Sequence, residues 1–507
     1  MISKISTVTF QGIQAEEVTV EVQISPGLPA FNIVGLPDKA VGESRERVRA
    51  SFHHLGLSLP AKRITINLAP ADIQKEGSHY DLPIALGLMA AMEVLDPLEL
   101  SRYTALGELG LDGRLGAVVG ALSAALNAAS HNRGLICPAG SGSEAAWAGQ
   151  LEILAAPDLL SLVNHFRGSQ VLSPPLLHAV QPAALSPAPL VDFCDVKGQS
   201  VAKRALEIAA AGGHHVLMIG PPGVGKSLLA RCLSGLLPPL EPSEALEVTM
   251  IHSLAGLLPD NGLITQRPFR DPHHSASLVS LVGGGARAKP GEISLAHQGV
   301  LFLDELPEFA RSALESLRQP LETGKITVAR ANNHASYPAQ LQLIAAMNPC
   351  RCGYFGDLDR QCHRAPVCAG DYQGKISGPL LDRFDLVLDV PALKAEDLIA
   401  NAPSETSHQV RERVKCALDC QKERYQKTSF LNARVDGEHL NQITKLDHQT
   451  TNLLTKAVDK LRLSARSYHR VLRVGRTIAD LEGSEAVQYH HITEALSYRR
   501  EQGQLRS

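Results

Sequence analysis

The chain has 507 residues and a formal charge of −3, a length that suggests about three domains. That charge excludes a global basic field, so any nucleic-acid binding must come from local patches or from the inner surface of a ring. No stretch reaches ~18 uninterrupted apolar residues. The longest candidate, Leu82 to Leu95, is broken by Pro83 and Glu93, and no membrane partner is expected. Met1 to Ile5 shows no signal-peptide pattern. Nine cysteines, four of them between Cys350 and Cys368, point to a cytoplasmic chain with one metal site rather than to a disulfide framework.

Residues 1–168 read as an α+β domain. Val18, Val20, Val22 and Ile24 alternate with polar residues, the period of a half-buried strand. Residues 37–55 read as a charged amphipathic helix ending at Gly56, Arg63 to Leu68 as a second strand, and Asp81 to Met92 as a helix. KEGSHYDLPIALGL (75–88) and DGRLGAVVGALSAAL (112–126) resemble the Lon-protease-like domain of magnesium-chelatase-related proteins and of the recombination protein RadA. Active proteases of that fold carry a serine in the first segment and a lysine in the second. Here Asp81 falls at the serine position and Ser123 at the lysine position, and Ser78 and Lys75 stand too close together on a turn to rebuild a dyad. The domain is expected to be a scaffold. Residues 169–190 are proline-rich and almost uncharged, as in an extended linker.

The next domain, 191–392, centres on Gly220-Pro221-Pro222-Gly223-Val224-Gly225-Lys226-Ser227. An apolar run, His215 to Ile219, precedes it, and Leu228 to Leu233 continues it as a helix. Strand, glycine loop and helix form the context of a phosphate-binding loop. Glycines let successive backbone N–H groups turn onto phosphates, Lys226 adds a point charge, and Ser227 is placed to ligate Mg²⁺. Val300 to Leu303 is a buried-strand run ending in Asp304 and Glu305. Asp304 can hold Mg²⁺ with Ser227, and Glu305 can polarise the attacking water. The chain is therefore expected to hydrolyse a nucleoside triphosphate. Asn348 ends a further strand, Ala345 to Met347, where its amide could also cap a turn.

These motifs, with ITINLAPAD (64–72), YDLPIAL (80–86), RDPHHSASLVSLVGGG (270–285) and PGEISLAHQGVLFLDELPEF (290–309), resemble the magnesium-chelatase-like branch of AAA+ ATPases, and within it the ComM/YifB family. The resemblance runs over nearly the whole chain. It implies ATP as the nucleotide, and an α/β fold: an AAA+ P-loop core, a C-terminal helical lid over 393–507 and the Lon-like domain in front. It implies that Asn348 is sensor 1, that Arg383 in LLDRFDL is an arginine finger for a neighbour's γ-phosphate, and that Arg466 is sensor 2. A local pair with Asp382 or Asp385 is the alternative for Arg383, and the adenine is expected near Val196 to Gln199. The resemblance also implies a homo-hexameric helicase that promotes branch migration when single-stranded DNA is integrated during natural transformation.

Two insertions are similar to the channel loops of that branch. Residues 261–297 carry Arg267, Arg270, His273, His274, Arg287 and Lys289. Residues 325–341 read as two short strands turning at Asn332-Asn333, with Lys325, Arg330 and His334. Cationic loops lining a channel suit sequence-independent contact with single-stranded and branched DNA; Phe269 and Tyr337 are the candidates for stacking. Cys350, Cys352, Cys362 and Cys368 stand as C-x-C-x9-C-x5-C, which suits a tetrahedral Zn²⁺ site, with His363 able to replace one sulfur. Cys416 and Cys420 are expected to be buried thiols of a lid helix. Two other roles share the ATPase pattern: a motor for metal insertion into a tetrapyrrole, and a Lon-like ATP-dependent protease.

Overall fold

The structure is a computed structural model describing residues 2–175, 191–259, 262–285, 288–329, 334–357, 360–393, 405–426, 430–461 and 463–499. Much of the proline-rich stretch, residues 176–190, lies outside the described residues, as do Arg287, Arg330 and the Asn332-Asn333 turn. Among the described residues no helix is long and apolar enough to cross a membrane.

The N-terminal region is built on a mixed seven-stranded sheet. Strands Ile2–Gln11 and Gln14–Ser25 pair antiparallel, and Arg63–Ala69 joins the second of them. Their inward residues, Val18, Val20, Val22, Ile66 and Leu68, are fully buried. The helix Asp81–Ala91 is buried from Asp81 to Ala90, because it lies between this sheet and the amphipathic helix Lys39–His54. Asp38 caps the latter through a 2.7 Å bond from Val41 N–H, the usual way to satisfy an orphan first-turn donor.

The nucleotide module has five parallel strands in the order Phe269–Arg270, Val300–Leu303, Gln342–Met347, Val216–Ile219, Leu386–Asp389. Alternate residues face opposite layers, as a strand requires. Val216, Met218, Phe302, Ile344 and Leu388 pack against the helices Ser200–Gly212 and Lys226–Leu236. Leu217, Ile219, Leu303, Leu343 and Met347 pack on the opposite side with Leu314 and Phe384. Both faces are covered, which is why these strands read as continuous apolar runs.

The lid helices Ser407–Tyr425 and Ala465–Leu481 share the first of these hydrophobic clusters, so lid and phosphate-loop helix are packed as one body. Cys416 and Cys420 are exposed, contrary to expectation. The helix turns Val410, Val414, Ala417, Leu418 and Gln421 inward, and the two cysteines fall on the opposite side.

The N-terminal region rests on the nucleotide module through a small polar latch. Ser253 Oγ donates to Glu144 Oε1 at 2.6 Å and accepts from Gly120 N–H at 2.8 Å. Burial raises the Glu144 carboxyl above its usual range. At Gly12, φ is +63° and any Cβ would collide with the Ser336 carbonyl, so the Ile2–Ser25 hairpin sits directly on the strand His334–Pro338.

Candidate nucleotide site

The loop after Val216–Ile219 turns through Gly223 and Gly225, at φ +79° and +90°, left-handed conformations that glycine adopts without steric cost. The helix starts at Lys226, so its unpaired N–H groups open onto the loop. Gly220 closes the strand so tightly that a Cβ there would lie 2.2 Å from the Val390 carbonyl oxygen.

Lys226 Nζ donates to the Gly220 and Pro221 carbonyls at 2.8 Å each and to Asn348 Oδ1 at 3.1 Å. Burial pulls its pKa below the usual lysine value, and Asp304 and Glu305 partly oppose this. The ammonium thus waits in a desolvated position where an arriving phosphate oxygen can take over its hydrogen bonds. Ser227 Oγ donates to Asp304 Oδ2 at 2.6 Å. Hydroxyl and carboxylate from residues 77 apart in sequence are side by side, a hard-oxygen pair that fits Mg²⁺. Pro222, Gly223, Gly225, Asp304, Glu305 and Asn348 line the same open pocket of about 380 Å³. Val224 packs into the core beneath it.

Glu305 follows Asp304 with φ +52° and a half-exposed side chain, 3.4 Å from His274 Nδ1. That contact escaped the sequence reading, which set His273 and His274 on a channel loop. Instead RDPHH lies across the site: Asp271 is 3.7 Å from Arg231 of the phosphate-loop helix. Position immediately after the edge strand was the available signal.

Arg383 and Arg466 converge, but not on this pocket. Arg383 Nη2 pairs with Glu322, rather than with Asp382 or Asp385, and Arg466 Nη2 is 3.9 Å from the same Glu322 oxygen. With Arg470 and Arg473 they line a separate cavity of about 490 Å³ that shares no lining residue with the phosphate-loop pocket. Burial and the neighbouring Arg466, Arg470 and Arg318 lower the Arg383 pKa. Arg470 is 3.6 Å from Asp385 and Arg473 pairs with Asp436, so Arg383 and Arg466 share Glu322, an arrangement that suits a second anion.

Four residues expected on the channel loops, Arg267, Arg270, Tyr337 and Phe269, make contacts within the chain. Arg267 is folded back, donating to the Pro238 and Gln298 carbonyls and to Glu244 at 2.8 Å. Arg270 makes a two-pronged pair with Glu292 at 2.6 and 2.7 Å. Both guanidinium groups are thus paired with carboxylates of their own chain. Tyr337 is buried with its hydroxyl on the Ala288 carbonyl, and Phe269 stacks on Phe302, so neither is a stacking platform. The hairpin itself is present, Lys325–Ala329 against His334–Pro338. Lys289 and Lys325 are exposed.

Among the described residues of the N-terminal region, the four candidates for a serine–lysine pair are engaged elsewhere or buried. Asp81 is bound to Arg47 at 2.6 Å, Ser123 is buried, Ser78 donates to Glu108, and Lys75 is turned onto the Pro70 carbonyl. The sulfurs of Cys350, Cys352 and Cys368 lie within 4.8 Å of one another just past Asn348, Cys362 is 3.3 Å from Cys368, and His363 is exposed.

A phosphate loop, an acidic strand and a polar strand end on a parallel sheet, under a helical lid, define a P-loop nucleotide-binding protein of the magnesium-chelatase-like AAA+ class. Residues 192–398 match the family described as magnesium chelatase, subunit ChlI. Residues 20–141 match subunit ChlI of Mg-chelatase, and residues 404–499 its C-terminal part. A YifB protein of Salmonella typhimurium is 45% identical over 489 residues, covering 96% of this chain and 95% of its own. Competence protein ComM of Haemophilus influenzae is 45% identical over 491 residues, with the same coverage. The magnesium-chelatase 38 kDa subunit of Rhodobacter capsulatus is 26% identical over 61% of this chain. The chain belongs to the ComM/YifB family of magnesium-chelatase-like proteins.

Proposed function

We propose that this protein is an ATP-driven DNA helicase that works as a homo-hexamer in the cytoplasm and promotes branch migration while single-stranded DNA is integrated in natural transformation. One observation carries the reading. Arg383 and Arg466 stand together in a cationic cavity apart from their own chain's phosphate loop, so they serve a phosphate supplied by a neighbour. Glu322 holds that place until the neighbour's γ-phosphate replaces it.

Within one chain Lys226 and the loop amides bind the phosphates, Ser227 and Asp304 hold Mg²⁺, and Asn348 orients the water that Glu305 polarises. Mg²⁺ held by Ser227 and Asp304 would supply charge neutralisation to the phosphates. Arg383 of the next chain steadies the charge that develops on the γ-phosphate. The exposed Lys289 and Lys325 suit contact with a DNA backbone in the ring channel, and the N-terminal region is a non-proteolytic Lon-like scaffold. The match to the competence protein spans 96% of this chain against 61% for the chelatase subunit, which favours DNA over a tetrapyrrole as the partner.

Incubation with ATP and labelled forked, three-way and four-way DNA junctions tests this. Strand displacement that requires hydrolysable ATP, with DNA-stimulated turnover, is expected. No displacement on any junction, with turnover indifferent to DNA, would refute it.

A further inference from the structure

Behind Asn348 the chain enters a segment, 350–373, whose described residues form only a small core of their own beside the buried Tyr372. That core consists of Cys350, Cys368 and Ala369, fringed by Cys352, Phe355, Cys362 and Ala365. Phe355 is the one large apolar side chain among them, and burying it contributes only about 2–3 kcal/mol. The rest of that core is two alanines and the four cysteines.

The sulfurs are arranged as a group. Cys350 Sγ is 3.0 Å from Cys352 Sγ, and Cys362 Sγ is 3.3 Å from Cys368 Sγ. Cys350, Cys352 and Cys368 all lie within 4.8 Å of one another, and Cys362 joins them through Cys368. None is in a disulfide, whose sulfurs would be about 2.05 Å apart. Four thiolates around Zn²⁺, with Zn–S of about 2.3 Å, would lie about 3.8 Å from one another. A small outward movement of these side chains reaches that spacing.

The group also has a position that matters. Cys350 is two residues past Asn348, whose amide accepts from Lys226. Gly353, at φ +88°, lies so close to the phosphate loop that a Cβ would come 2.7 Å from Pro222 Cδ. Gln373, on the helix Val367–Gln373 that carries Cys368, donates to the Pro349 carbonyl at 2.7 Å. The cluster therefore joins the strand end, the phosphate loop and the helix that leads on to Arg383.

We propose that Cys350, Cys352, Cys362 and Cys368 bind one Zn²⁺, and that the closed knuckle braces Asn348 and Pro222 at the nucleotide site. Metal binding then supplies the local folding energy that the apolar side chains do not.

Metal analysis of freshly isolated, never chelated protein should find about one zinc per chain. Cys352→Ser combined with Cys362→Ser should lose it, and Cys416→Ser combined with Cys420→Ser, on the exposed lid face, should keep it. Should the first pair fail to fold, Co²⁺ exchanged into the unmutated chain decides the same question, by the thiolate-to-cobalt absorption of a tetrahedral four-sulfur site. Chelator stripping should open Arg351, Arg360 and Arg364 to trypsin and lower ATP turnover on the order of 10²-fold, as a displaced catalytic group does, with recovery on adding one equivalent of Zn²⁺. Protein isolated with iron or without stoichiometric metal, or a Cys352/Cys362 double variant that retains full zinc, overturns the site. Unchanged turnover after complete stripping overturns the brace. Neither reading depends on DNA, so a failed helicase assay leaves this result independent.

Discussion

Glu305 holds a left-handed backbone conformation that costs a non-glycine residue on the order of 1 kcal/mol, and its carboxylate stands half-exposed beside His274. The strain turns the carboxylate out of the sheet toward the pocket, where Lys226, Ser227 and Asn348 already meet. Glu305→Gln keeps the shape of the side chain and removes its ability to accept a proton. Binding of a fluorescent ATP analogue should be unchanged, whereas single-turnover hydrolysis should fall about 10²- to 10⁴-fold. Turnover within a few-fold of the parent protein would remove Glu305 as the base.

Across the Gly-rich insert and the Lys325–Pro338 hairpin the charges fall into two sets, paired and exposed. Arg267 and Arg270 fold back onto Glu244 and Glu292, whereas Lys289 and Lys325 face outward. Arg267→Ala leaves Glu244, almost fully buried, without its partner, a loss of about 3 kcal/mol. It should lower the melting temperature and leave the salt slope of DNA binding unchanged. Lys289→Ala and Lys325→Ala should do the reverse, each weakening DNA binding across all sequences and reducing the slope by about one. Thermal melts and salt titrations on the three variants separate the two roles. A normal melt with weakened DNA binding in Arg267→Ala would return that residue to the channel.

For the whole molecule, the arginine cavity is separate from the phosphate-loop pocket, and under the proposed function hydrolysis is a property of two chains. Repeating one heterologous contact closes a ring, and ATP bridging two chains favours the assembled state. Arg383→Ala alone should bind ATP and fail to turn it over, and Lys226→Ala alone should fail to bind. Mixtures should regain activity, because a sound phosphate loop then meets a neighbour's sound finger at some interfaces. ATPase rates across mixing ratios, with sedimentation in an ATP analogue, read this directly. Mixtures as inactive as the separate variants would return the arginine to its own chain.

Local features of this protein were legible in its sequence because their causes are local. Glycine at Gly223 and Gly225 permits the loop, the apolar run Val216–Ile219 demands a doubly covered strand, and Asp304 with Glu305 can follow only a strand end. The resemblance to a family added Asn348, Arg383 and Arg466, whose distance in sequence hides their use. What remained hidden depends on direction. A charged residue in a Gly-rich insert looks the same whether it faces a channel or, like Arg267 and Arg270, turns back to a carboxylate brought near by the fold. The spacing of Cys416 and Cys420 defines a helix face but not which face is inward. That was decided by Val410, Val414 and Leu418 packing on the phosphate-loop helix. In the same way, His274 meets Glu305, and Gly353 meets Pro222. These contacts join segments about 30 and 130 residues apart, so they exist only once the parallel sheet has set both ends in place.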